Sequence, residues 1–185
     1  MPRELIEKRL RELIPELGQF HDVDVEERVV ATWVDACDLA GLMPDDLEEM
    51  PFTLLVEECS VSFLQHTRAV TNTALAMGRV LSEQYPEHAG MHSDHDTLLS
   101  GALLHDVGKI LEIGKTENGS GWIRTMNGKM LRHPISGTAL AFARGLPDSV
   151  LHCIACHSKE GDGYRKTVEA IIINHADFAN FEPLH

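Results

Sequence analysis

The chain has no long apolar run, few aromatic residues, few cysteines and few basic residues, and each shortage excludes something. No stretch approaches the ~20 successive apolar residues that span a bilayer. The opening MPRELIEKRLRELIPELG is charged and amphipathic, without the apolar core or small-residue cleavage site of a secretion signal. A cytoplasmic protein without membrane contact is the expectation. Four cysteines, two of them isolated at Cys37 and Cys59, form no disulfide framework. Cys153-Ile154-Ala155-Cys156-His157 does spell the attachment signature of a c-type haem. That chemistry belongs to exported proteins, so no haem is expected, and a zinc ribbon would need a second C-x-x-C that is missing. Cys153 and Cys156 then read as small buried residues on a helix. Sixteen Lys and Arg against 29 Asp and Glu leave a formal charge of -13. General binding to a nucleic-acid backbone, which is built on clustered cations, is excluded.

What is present describes one helical core. The 43% hydrophobic content of 185 residues is ample for it. Leu5, Ile6, Leu10, Leu13 and Ile14 recur at helical spacing, and a second helix is expected from Asp24 to near Gly41. A long helix is expected from Phe52 to Tyr85, halted by Pro86. Asp96 is the expected cap of the next helix, TLLSGALLHD. Between 114 and 132, Asn118-Gly119 and Asn127-Gly128 flank WIRTM, which predicts a small hairpin or flap. Helices resume with Pro134 in a first turn, from Pro147 to about Lys159, and from Thr167 to about Phe181. The class is all-α, with residues 1–50 as a helical extension packed on a domain of residues 51–185.

Eleven histidines in an acidic chain point to a metal site. His66 falls on the apolar stripe Val70, Thr73, Ala74, Met77 and Leu81. Asp177 follows Ala170 and Ile173, and His157 shares a face with Val150 and Ile154. His105 and Asp106 end a helix, LLSGALL, that is apolar all round. Four helices thus aim ionisable groups at the interior, where an unpaired charge costs several kcal/mol. Any one of these histidines could be a hydrogen-bonded core residue. Together they are how helical bundles hold metals, and mixed N and O ligands suit Mn, Fe, Co, Ni or Zn better than calcium. His88, His92 and His95 read as a solvated loop, Asp45, Asp46, Glu48 and Glu49 as a solvated face, and His152 and His175 are not placed.

His66, then His105-Asp106 within GALLHDVGK, then Asp177 resembles the H…HD…D pattern of the HD superfamily of metal-dependent phosphohydrolases, from about Phe52 to Phe181. HPISG at His133 and CHSKEGDGY at His157 resemble the additional histidines of members that hold two ions. The resemblance implies an HD-domain helical bundle with two divalent transition-metal ions. His66, His105, Asp106 and Asp177 would hold one, Asp106, His133 and His157 the other, and Asp106 would bridge them. HSKEGDGY is also similar to the signature of the cyclic-di-GMP phosphodiesterase branch, but Cys156 stands where a histidine belongs, the Asp-Gly-Tyr spacing is contracted and Arg165 replaces the proline. The segment reads more simply as a loop at the site mouth, with Lys159, Arg165 and Lys166 available to an anionic substrate.

Lys109 has two readings. It resembles the family lysine that contacts substrate phosphate, and it is also the kind of residue a helix C-terminus favours. Gly108 is expected to permit the turn away from the site. The implied activity is hydrolysis of a small phosphorylated substrate, a phosphomonoester or phosphodiester, by metal-activated water. The rivals are a di-iron oxygenase of the same fold, which resembles the same six-ligand set, and a non-catalytic signalling module. A processive ribonuclease would need an additional oligonucleotide-binding barrel. A homodimer is compatible with all of these.

Overall fold

The computed structural model describes residues 2–56 and 59–184. Helices α1 (Arg3–Leu13) and α2 (Val23–Ala40) open the chain, and Asp22 caps α2 by accepting the N–H of Asp24 at 2.9 Å. Ile6 and Leu10 of α1 and Val29, Val30 and Trp33 of α2 share one core with residues much further along the chain, among them Leu99, Leu103, Leu140 and Val150. Asp35 on α2 takes ion pairs from Arg3 and Arg144, which fastens the two ends of this layer. The acidic run is a solvated face, with Asp45, Glu48 and Glu49 exposed and Asp46 half-buried. In the short helix α3 (Asp46–Glu49) Leu47 is fully buried and Asp46 pairs with Lys115, while Asp45 just before it pairs with Arg9.

The long helix begins later than its composition suggests. It is α4 (Phe63–Gln84), not a helix from Phe52. Residues 50–52 instead fold back against residues 61–63. Phe52 N donates to Val61 O, Phe63 N donates to Met50 O, and Pro51 bridges Ser62. Ser62 accepts the N–H of Gln65, so Ser62-x-x-Gln65 is the helix start that the pattern carries. The next helix, α5 (His95–Leu104), is capped by Asp94, whose carboxylate accepts Thr97 N at 2.8 Å. Asp96, the expected cap, accepts the N–H groups of His21 and Asp22 at 3.0 and 2.8 Å. It ties the chain entering α2 to α5.

Every residue of α5 from Leu98 to Leu104 is buried. That follows from its position, packed by α4, α9 (Asp148–Cys156) and α10 (Val168–Phe181) on one side and α2 on the other. A second apolar cluster, including Val70, Ala74, Ala102, Cys153, Ala170 and Ile173, fills the α4–α5–α10 junction. Beyond α5 the chain makes the one-turn helix α6 (Lys109–Glu112). An antiparallel hairpin follows, with β1 (Ile113–Lys115) facing β2 (Trp122–Arg124), and then α7 (Met126–Met130) and α8 (His133–Ala143). The expected hairpin is therefore two three-residue strands, and its second half is helix. The class is all-α.

Candidate metal centre

The chain delivers ionisable side chains to one place from five helices. His66 comes from the first turn of α4, His105 and Asp106 from the end of α5, His133 from the first position of α8, His157 from the C-cap of α9, and Asp177 from α10. His66, His105, Asp106, His133 and His157 are buried, and the Asp177 side chain is 15% exposed. Donor atoms of His66, His105, Asp106 and Asp177 all lie within 4.8 Å of one another, and so do those of Asp106, His133 and His157.

Asp106 belongs to both groups, one oxygen to each. Its Oδ2 lies 3.5 Å from His66 Nε2 and 3.3 Å from His105 Nε2. Its Oδ1 lies 3.3 Å from His133 Nε2 and 3.5 Å from His157 Nε2. The opposite nitrogens say which protons are present. His105 Nδ1 is 2.7 Å from Ala102 O, His157 Nδ1 is 2.8 Å from Ile154 O, and His133 Nδ1 is 3.1 Å from Glu112 Oε2. Those oxygens accept only, so each Nδ1 carries the proton and each Nε2 presents a lone pair. Lone pairs then face lone pairs: His133 Nε2 and His157 Nε2 are 3.2 Å apart. Both Asp106 oxygens and His105 Nε2 are buried without a hydrogen-bond partner among the described residues. Acceptors converging on acceptors in a dry interior repel unless cations lie among them, so this donor set fits divalent metal ions.

The electrostatics act on the proposed ligands in different directions. Burial pushes the His66 and His133 imidazoles below their ordinary value, against the opposing pull of Asp177 and Glu112 respectively. Burial would also depress His105, but the charge of Asp106 outweighs it and the net shift is upward. For Asp106 burial alone would raise the carboxyl. The Lys109 ammonium and His105 more than offset it and hold the group well below the usual carboxylate range. Lys109 Nζ sits 2.6 Å from Asp106 Oδ2, an ion pair oriented away from hydrogen-bond geometry, and 5.4 Å above the centroid of the Phe52 ring. Phe52 also stacks on His66 at 4.3 Å, so the segment just after α3 forms part of the site.

A cavity of about 290 Å³ opens onto Asp106, Lys109, His133 and Asp177. One wall is apolar, with Phe52, Leu54, Leu55 and Phe178, and the other carries Arg124, Arg132 and Lys159. Arg124 pairs with Glu112 at 3.7 Å and Arg132 with Glu160 at 3.4 Å, while Lys159 has no acidic partner among the described residues. The structure does not bring Arg165 or Lys166 to this cavity. Arg165 is spent on Cys156 O, Ser158 O and the Asp162 carboxylate, bracing the loop after His157, and Lys166 Nζ donates to Gly163 O. Arg124, Arg132, Glu112 and Phe52 went unread in the sequence. Arg132 adjoins His133 and Glu112 lies three residues past Lys109, but the contacts that matter are tertiary.

Two other features resolve without chemistry. His21, His95 and Asp96 form a further cluster of potential ligands, but the two rings stack at 4.4 Å and only 25° apart. Imidazole lone pairs lie in the ring plane, so near-parallel stacked rings do not aim at one ion. In the C-x-x-C-H segment, burial raises the Cys153 thiol to about 12, and Cys153 packs with Ala102 and Ala170 while His157 turns inward to Asp106.

Comparison with known proteins agrees with this geometry. Over 118 residues the chain is 32% identical to a protein of Methanocaldococcus jannaschii named dihydroneopterin 2',3'-cyclic phosphate phosphodiesterase. The match covers 63% of this chain and 45% of that protein, so the chain spans less than half the length of the curated relative it matches. No solved structure matches it significantly. A family model described as HD domain matches residues 63–178, an interval that contains His66, His105, Asp106, His133, His157 and Asp177, and the chain belongs to the HD-domain family.

Proposed function

We propose that this protein is a metal-dependent phosphohydrolase that cleaves a small phosphodiester. His66, His105, Asp106 and Asp177 would hold one divalent ion, and Asp106, His133 and His157 a second. The observation that supports the reading is Asp106, a buried carboxylate whose oxygens accept no hydrogen bond among the described residues, each facing a different pair of imidazole Nε2 atoms, with the Lys109 ammonium beside Oδ2. Two such ions (Mn, Fe, Co, Ni or Zn) would supply a water acidic enough to react near neutral pH and positive charge for the phosphoryl oxygens.

The chain's own residues account for the rest. Lys109 lines the cavity with its ammonium beside Asp106, where it can meet a phosphoryl oxygen. Lys159, without an acidic partner among the described residues, and Arg132 offer further cations to an anionic substrate. Phe52, Leu54 and Phe178 form the wall that excludes water and accepts an apolar arm of the ester. A diester is favoured over a monoester because the named relative is a cyclic-phosphate phosphodiesterase. No helix among the described residues is long and apolar enough to cross a membrane, which suits a dissolved substrate.

The test is metal analysis of anaerobically purified protein joined to a panel of cyclic diesters, linear diesters and monoesters. Metal-dependent ring opening of cyclic diesters, with slower monoester cleavage, is the expected result. Two irons with oxygen-dependent turnover and no ester cleavage would place the chain with the di-iron oxygenases instead.

A further inference from the structure

Glu112, at the end of α6, is buried at 6% exposure and hydrogen-bonds His133 twice. Its Oε2 accepts both the backbone N–H and the Nδ1–H of His133, each at 3.1 Å. Its Oε1 lies 3.7 Å from the guanidinium of Arg124 on β2, a residue of the cavity wall. Its backbone oxygen accepts Thr125 N at 2.9 Å, at the junction of hairpin and α7. Gly128 on α7 rests against it so closely that a Cβ there would fall 2.5 Å from Glu112 Cγ.

Among the three imidazoles whose Nδ1 proton is placed, His105 and His157 donate to neutral backbone carbonyls. His133 donates to a carboxylate. An ionised partner makes the distal nitrogen a stronger donor and fixes the ring's orientation. We propose that Glu112 is the positioning residue of the second ion's half-site, orienting His133 and fastening the 113–124 hairpin, with its Arg124, to that half alone. This rests on the two-ion reading above.

The experiment titrates metal-stripped protein with cobalt(II), following visible absorption and metal per chain, for wild type, Glu112→Gln, Glu112→Ala, Gly128→Val and Arg124→Ala, with thermal unfolding of each. Loss of such a partner typically weakens metal affinity about 10- to 100-fold. Glu112→Ala is expected to weaken the second binding event to that extent and to leave the first unchanged. Glu112→Gln, which keeps an accepting oxygen without the charge, should fall between. Gly128→Val, which displaces the carboxylate, should follow Glu112→Ala. Arg124→Ala should bind both ions normally and show only a raised KM. If Glu112→Ala binds both ions with wild-type affinity, or loses affinity for both equally, the proposal is wrong. Wild type that takes up a single ion would defeat the two-ion reading itself, and that result appears before any variant is measured.

Discussion

A single carboxylate organises the centre, and Lys109 is the residue whose role the geometry sharpens most. Its ammonium touches Asp106 and lines the cavity, so it can serve the carboxylate, the substrate, or both. Bound ions would take over compensation of the carboxylate charge and release Lys109 for the phosphoryl group. Lys109→Ala is therefore expected to keep its metal content and lose about 10²-fold or more in kcat/KM, the usual scale for removing one donor to a developing negative charge. Metal content and steady-state kinetics on the same preparation check this, and a variant that loses metal would assign Lys109 to the carboxylate. The residues of the centre were legible in the sequence to different degrees. His66, His157 and Asp177 stand on apolar helical stripes, where a polar residue is conspicuous. Glu112, Arg124 and Arg132 lie on short elements whose partners are distant in sequence, and no local period marks them.

At the scale of elements, the close approach of α6 to α8 sets where His133 points. Gly108 does not need a glycine conformation, since its φ of -65° and ψ of -19° suit any residue. Its role is contact: a Cβ would lie 2.1 Å from His133 O and 2.7 Å from Gly137 N. The turn expected of it is thus explained by space and not by backbone freedom. Gly108→Ala should push α8 away, destabilising the fold by about 1–3 kcal/mol, the usual cost of overpacking, and weakening the His133 half-site. Urea unfolding and metal per chain measure both, and an unchanged midpoint with two ions bound would contradict the packing argument. The long helices and the Asn118-Gly119 hairpin were readable because period and turn chemistry are local. The start of α4 was misplaced although Ser62-x-x-Gln65 carries the capping signature. The apolar Phe52, Leu54 and Leu55 looked like helix and instead line the cavity, with Phe52 stacked on His66. Asp96 was mistaken for a cap because its partners, His21 and Asp22, are distant in sequence.

Across the whole molecule acids outnumber bases, but around the cavity onto Asp106 the two are matched. The chain carries a formal charge of -13, while the cavity that opens onto Asp106 is lined by four bases (Lys109, Arg124, Arg132 and Lys159) and four acids (Asp106, Glu112, Glu160 and Asp177). The cavity is thus less acidic than the chain as a whole, whose net charge repels polyanions. The buried helix α5 carries His105-Asp106 into the junction of two apolar clusters, which accounts for a centre dry enough to need its ions. Whether two ions share Asp106 is read from metal per chain with turnover for wild type, Asp106→Ala and His157→Ala. Two ions are expected in wild type, near-complete loss of metal and activity in Asp106→Ala, and about one ion with collapsed turnover in His157→Ala. Full activity of His157→Ala with one ion bound would contradict the two-ion reading.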